Sequence, residues 1–595
     1  MITTSVQPDF AEVFLRSIYE HGAEALAAHP VLLRLLLDVF KEQKAFPASR
    51  IELYKLGLEQ LVKATTGSNS SGRRGDLERR VLISGRIAAA MTFSGLYRIS
   101  ANDSTPSESA VRLTDIAGSL EPARGGALPV TNSELRSILL TPLFARIAPD
   151  TFEWTHRTYL EFLTANYLVV RQVPPEELWS LLLVEDPDGK QTVAFQLREV
   201  AAWLAGMDPN FFRLLIEFEP EVLLRSDLAA AAPANRALLV DTLLDRIEAG
   251  EMLDVFSTIY PYLSKLAHPD LHTQLQVRLS EKTRSHFLRR IVADIASRTE
   301  LRSLLPTLLE VALDAEDEID VRKAAADAVG HLGTPEDKSR LLDILAQDLT
   351  ADVSDELLGA VLRATWPKQL SVAALLEVLA PPKADDFIGS YAVFLYRLDL
   401  GLWTPADAIH GVRWLKRSLE KDETSNWDHH TDRLFARIFW KVSTHIGHEA
   451  VREPLSELLA KQMNGVTRHA LHAEKTEDGS WPASLTSRMA LVLDTLNKAD
   501  DPERLGVSLF VHGSGLIQVE DLDGYLKLLT SRKHAKLYSA LIKIVISQAQ
   551  HLPINSLDHV WQLAEKDVGL RDALQRAYSV DLASPEVVRR QNIWH

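Results

Sequence analysis

Asp320-Val321-Arg322-Lys323-Ala324-Ala325-Ala326-Asp327-Ala328-Val329-Gly330-His331-Leu332-Gly333 is the stretch on which the reading of this chain turns. Alanines crowd what reads as one helix, and Gly330-His331-Leu332-Gly333 closes it. Thr334-Pro335-Glu336-Asp337 then leads into a second helix carrying Leu341, Leu342 and Leu345. Sliding back by 321 − 288 = 33 residues aligns Leu288-Arg289 with Val321-Arg322. Sliding forward by 360 − 328 = 32 aligns Ala360-Val361-Leu362-Arg363-Ala364 with Ala328-Val329-Gly330-His331-Leu332. Periods of this size predict stacked helical pairs, none of which buries its apolar face alone. The helix–turn–helix pattern runs from Pro174-Pro175 to the C-terminus. It blurs beyond Pro381, with interrupting loops at 421–428, 474–482 and 510–515. The expected fold class is therefore predominantly all-α.

Working outward to the N-terminal side, Pro30 opens a helix whose Leu32, Leu33, Leu36, Leu37 and Phe40 share one stripe. Ser49-Arg50-Ile51-Glu52 has the form of a capping box, and Tyr54, Leu58, Leu61 and Val62 continue the apolar face of the next helix. Residues 67–75 (GSNSSGRRG) read as a loop with no apolar anchor, and 77–90 as another helix. The texture then changes. Residues 99–131, rich in Ser, Thr, Gly, Pro and Asp, read as long connections around one short helix. Leu143-Phe144-Ala145-Arg146-Ile147, a Pro149-Asp150 turn and Phe152-Glu153-Trp154-Thr155 read as one β-hairpin. Helix resumes over 156–170. A single hairpin on a helical bundle is the pattern of a winged helix.

Composition narrows the function classes. Among 595 residues, 65 Lys and Arg face 81 Asp and Glu, a net charge of −16, and 46% of the chain is hydrophobic. That length supports about three to five domains with cores of their own. With no cysteine, the chain cannot form disulfides, thiolate zinc sites, iron–sulfur clusters or a cysteine nucleophile. A reducing, cytoplasmic setting is expected. No window approaches the ~18 apolar residues of a membrane span, and the first residues lack a basic segment followed by an apolar one. The acidic field argues against a nucleic-acid partner.

Few motifs carry chemistry. Gly67-Ser68-Asn69-Ser70-Ser71-Gly72-Arg73-Arg74 has the glycine spacing of a P-loop, but arginines stand where Lys and Ser or Thr must reach phosphate and Mg²⁺. His429, His430, His445, His448, His469 and His472 fall close together, yet lack the carboxylate of a Glu-x-x-His motif, so no metal site is expected. Val511-His512-Gly513-Ser514-Gly515 does not match a nucleophile elbow. The basic clusters Arg73, Arg74, Arg79, Arg80 and Arg532, Lys533, His534, Lys536 read as solvated helix ends. No catalytic residue is expected, and the chain is read as a non-enzyme.

Two resemblances add to this reading. The Asp-Val-Arg start, alanine-rich helix and Gly-x-Leu-Gly turn of 320–333 resemble HEAT-type repeats. Phe152-Glu153-Trp154-Thr155-His156-Arg157-Thr158-Tyr159-Leu160-Glu161-Phe162-Leu163-Thr164-Ala165 resembles the end of the winged-helix segment in NACHT-family STAND NTPases. Leu26-Ala27-Ala28-His29-Pro30-Val31-Leu32-Leu33 and Pro47-Ala48-Ser49-Arg50-Ile51-Glu52-Leu53-Tyr54 are similar to the helical subdomain after that family's nucleotide-binding core. The likeness covers roughly 10–260 and implies four segments. These are a helical subdomain (1–66), a winged-helix-like domain (76–172), a second helical subdomain (173–260) and a HEAT-like α-solenoid sensor (261–595).

The resemblance also implies roles. Pro30 matches the family proline that packs against adenine, a contact suited to an imide ring without an N–H. His156 matches the histidine that touches the β-phosphate of ADP, at a helix start whose free N–H groups attract anions. The plainer alternatives are a first-turn proline and a helix cap. The family's P-loop, Mg²⁺-binding acidic strand and sensor arginine stand before the helical subdomain, so the chain reads as the back half of such a protein, whether truncated, split or a fragment. The expectation is a non-catalytic regulatory and sensor half of a NACHT-type signalling protein, in bacterial defence or signal detection. It would bind no cofactor alone; ADP or ATP would require a P-loop NTPase partner chain or an intact parent. A protein ligand would occupy the concave face of the repeats. The rivals are a constitutive helical scaffold and a hydrolase built on the histidines.

Overall fold

A computed structural model describes residues 8–21, 23–28, 30–43, 45–47, 49–63, 74–102, 110–123, 126–185, 189, 191–228, 231–252, 259–383, 389–422, 429–470, 482–512, 515–553 and 557–579. The chain is predominantly helical, 70% helix and 6% strand. It divides into two compact units, Met1–Thr307 and Leu308–His595. Among the described residues no helix is long and apolar enough to cross a membrane.

In the first unit, α1 (Pro30–Gln43) begins at Pro30, and α2 (Arg50–Lys63) buries Tyr54, Leu58, Leu61 and Val62 as its spacing requires. Only half of the expected capping box forms. Ser49 Oγ accepts the Glu52 N–H at 3.3 Å but donates to Asp227 at 2.8 Å, and Asp227 also takes the Ile51 N–H at 3.1 Å. A carboxylate distant in sequence thus joins the cap, binding the Ser49 hydroxyl and the Ile51 N–H. α3 (Arg74–Ser94) follows; residues 67–73 of the glycine-rich string lie outside the described residues.

The strand content exceeds the single hairpin expected. β1 (Arg98–Ser100), β2 (Ala110–Arg112), β3 (Leu120–Ala123) and β4 (Gly126–Pro129) all fall within the stretch read as connections. After α4 (Asn132–Leu139), the expected hairpin is present as β5 (Phe144–Ala148) and β6 (Thr151–Trp154), with Asp150 at the turn in left-handed backbone, φ 58°. It belongs to a four-stranded sheet ordered β2-β1-β6-β5, in which β1 runs parallel to β2 and antiparallel to β6. β3 and β4 pair separately, as do β7 (Leu183–Glu185) and β8 (Gln191–Val193).

α5 (Arg157–Val170) packs on α3 and on α6 (Arg198–Met207). At their junction Tyr54, Phe162 and Trp203 form one aromatic cluster, with ring centroids 4.8 to 5.5 Å apart. Each ring is contributed by a different expected segment, so 1–66, 76–172 and 173–260 share a core.

The second unit is built of helices packed on one another in sequence. α7 (Ile319–Leu332) lies on α8 (Glu356–Thr365), and α8 on α9 (Ser390–Arg397). Val321, Ala325, Ala326, Val329 and Leu332 are buried. The helix after Gly333 is short and irregular: an α-turn over Pro335–Arg340, capped reciprocally by Thr334 and Asp337, tightens into a 3₁₀ segment, Leu341–Ala346. Gly359 lets α8 meet α9 almost backbone to backbone, since a Cβ there would lie 2.2 Å from the Tyr391 nitrogen.

Candidate functional site

The passage from β6 into α5 is held rigidly. Trp154 packs against Phe144, ring centroids 4.2 Å apart at an interplanar angle of 40°, and directs its indole N–H at Met91 Sδ, 3.2 Å away. The Thr155 N–H donates to the Leu143 carbonyl at 2.9 Å, and its hydroxyl to the Pro142 carbonyl at 3.0 Å. His156 follows in extended backbone as the N-cap of α5, its Nδ1 accepting the Thr158 N–H at 3.2 Å. An accepting Nδ1 carries no proton, so in the neutral ring Nε2 must carry it. The ring is exposed, and the cap bond leaves Nε2 as its donor.

Beside this junction a cavity of ≈ 610 Å³ is lined by Tyr97, Glu153, Trp154, Arg157 and Glu161 among others. Arg157 binds Glu161 at 2.8 Å. Burial, then the nearby Glu199, holds the Glu161 carboxyl above the usual carboxylate range. Behind it, the Arg50 guanidinium lies 4.1 Å from the Trp203 ring centroid, and the indole N–H of Trp203 has no hydrogen-bond partner among the described residues. Lys265 is pushed below the usual lysine range by burial and by Arg50, with Asp227 and Glu199 opposing.

Pro30 is exposed at the first position of α1. It and His156 stand at different places along α2. Leu26 and Leu32, on either side of Pro30 in sequence, meet Gly57 in the middle of α2. His156 begins α5 more than a turn before Phe162, the residue that meets Tyr54. Neither residue lines the cavity beside Arg157 or the cavity of ≈ 530 Å³ bounded by Leu58, Arg79, Phe162 and Asn166.

Sequence reasoning missed how the arginines of α3 are used. Arg79, read as a solvated helix end, forks onto Glu134 at 2.7 Å and onto the carbonyls of Glu121 and Pro129, both at 3.2 Å. Arg80 reaches Ser137 Oγ at 3.2 Å. Arg86 binds the fully buried Glu121 at 3.0 Å, where the Tyr167 hydroxyl also donates at 2.6 Å. These cations tie α3 to β3, α4 and α5. Their spacing on α3 gave no sign of it, because every partner is distant in sequence.

Of the histidines, His445 and His448 are neighbours, and burial followed by His448 lowers the His445 pKa. The side chains of His429, His430, His469 and His472 lie outside the described residues. Among the described residues no group of three or more His, Asp or Glu could hold a metal ion. No family model, curated protein or solved structure matches this chain.

Proposed function

We propose that this chain is the non-catalytic regulatory and sensor portion of a NACHT-type STAND switch, working beside a P-loop NTPase module. In this reading α3 to α5 with their small sheet act as the winged helix, and the repeats of 261–595 form a HEAT-like solenoid whose concave face takes a protein ligand. Binding there shifts the balance of closed and open states of the nucleotide module. The setting is cytoplasmic, and bacterial defence is the role that suits it.

The observation that carries the reading is the capped His156. The β5–β6 hairpin fixes it at the start of a helix of 14 residues, with its ring exposed and Nε2 left as a donor beside a field that favours anions. Pro30 would meet the adenine. The chain binds no ADP or ATP unaided and hydrolyses none.

The test mixes this chain with a P-loop polypeptide encoded beside it. Co-purification, and a rise in melting temperature with ADP that His156→Ala abolishes, is the expected outcome. A complex indifferent to ADP, or a variant identical to wild type, favours the second reading, a constitutive helical scaffold. The Thr158 bond gives that reading its own support, because it accounts for His156 without any ligand.

A further inference from the structure

In the second unit, α10 (Leu522–Ser531) ends at Arg532, whose backbone is left-handed, φ 51°. α11 (Tyr538–Ala549) and α12 (Val568–Tyr578) start beside it, and a cavity of ≈ 410 Å³ opens between the three. Its walls divide by chemistry. Leu529 and Leu541 are buried beneath it, and Arg532, His534 and Lys566 surround it.

The side chains of Arg532, His534 and Lys566 have no hydrogen bond or ion pair among the described residues. That departs from the practice of this chain. With a net charge of −16, its arginines commonly sit against carboxylates, as Arg488 does on Asp521 at 2.7 Å. The carboxylate that lines this cavity, Asp567, is committed elsewhere: it accepts the Tyr538 hydroxyl and the Leu570 N–H. Tyr538 therefore spends its proton on Asp567 and offers the cavity only acceptor capacity. Arg532 and Lys566 thus face one space with no ion pair of their own, and an anion seated between them, beside the His534 ring, forms charge-assisted hydrogen bonds.

We propose that this cavity binds a small phosphomonoester, its phosphate held by Arg532, His534 and Lys566 and its apolar body resting on Leu529 and Leu541. The volume suits a ligand of one ring rather than a polymer. This site stands apart from the nucleotide switch and is tested without a P-loop partner.

The experiment is calorimetric titration of the full chain with phenyl phosphate, with inorganic phosphate and phenol as partial probes. Phenyl phosphate is expected to bind, inorganic phosphate more weakly and phenol not at all, with affinity falling as salt rises. Arg532→Asn, which keeps a residue tolerant of left-handed backbone, and Lys566→Gln should each weaken phenyl phosphate about tenfold. Circular dichroism unchanged from wild type shows that these exposed substitutions leave the fold intact. Absence of binding at millimolar phenyl phosphate, equal binding by the doubly substituted chain, or saturable binding of poly-glutamate in place of phenyl phosphate overturns the proposal.

Discussion

Arg289 and Arg322, 33 positions apart, make the same bond: each is buried and gives its Nε–H to the carbonyl ten residues before it, Leu279 at 2.8 Å and Ala312 at 3.2 Å. The period read from Leu288-Arg289 and Val321-Arg322 is thus a repeat of hydrogen bonding as well as of letters. In each case an arginine near the start of one helix satisfies a carbonyl at the end of the helix before it. Helix ends leave such carbonyls without intrahelical partners, so the arginine fixes how consecutive helices join.

Removing that group should loosen the joint. In Arg322→Ala the buried Ala312 carbonyl and the half-buried Gln347 side-chain carbonyl, which Arg322 also engages, lose their donor. The expected loss is ~3 kcal/mol, and Arg322→Met should lose less because its side chain fills the buried space that alanine leaves empty. Urea denaturation gives the magnitude. Hydrogen exchange should show the loss of protection concentrated in peptides covering 312–347; a uniform loss along the chain would contradict the local role.

Close helix approach gives a second expectation. Gly359→Ala drives a methyl group to 2.2 Å from the Tyr391 nitrogen and 2.4 Å from the Ser390 carbonyl carbon. Backbone cannot yield as a side chain can, so the cost should reach ~3 kcal/mol or more. Gly95→Ala is the control: φ is +69° but nothing lies within 4 Å, and only the left-handed strain of ~1–2 kcal/mol applies. Comparable melting temperatures for the two variants would refute the packing argument.

The sequence displayed the features whose causes are local. The stripe of Tyr54, Leu58, Leu61 and Val62 is buried as its 3.6-residue period demands. Pro30 does begin a helix, and the Pro149-Asp150 turn does join two strands. What it concealed was non-local. β1 and β2 are three residues each, too short for alternation to show. β4 is exposed throughout and shows no alternation of buried and exposed positions to betray it. Asp227 joins the cap at Ser49 from far along the chain, and Arg79 looks like any solvated basic residue until Glu134 is brought to it. For the candidate site, the extended-to-helix passage at His156 was legible, while the cavity beside Arg157 depends on α6 and β7 and was not.

Glu161 supplies a pH test. Its folded pKa is raised, by burial first and Glu199 second, so the folded state resists its ionisation. Below the unfolded value, ~4.3, both states hold the proton and the group costs nothing. As pH rises through the unfolded and then the folded pKa, the unfolded chain ionises first and stability falls. Glu161→Gln should therefore match wild type near pH 4 and be the more stable form at pH 7. A Gln variant weaker at pH 7 would show that the Arg157 pair outweighs burial.

His156 is where the capping and ligand roles can be separated. Its Nδ1 bond to the Thr158 N–H is one that asparagine, a favoured N-cap, can replace and alanine cannot. Without nucleotide, His156→Ala should lose ~1 kcal/mol and His156→Asn almost nothing. With a P-loop partner and ADP present, both variants lack the Nε2 donor and should lose the nucleotide-dependent rise in melting temperature alike. If asparagine restores that rise together with basal stability, the ring serves only as a cap, and the link between this helix and a phosphate falls.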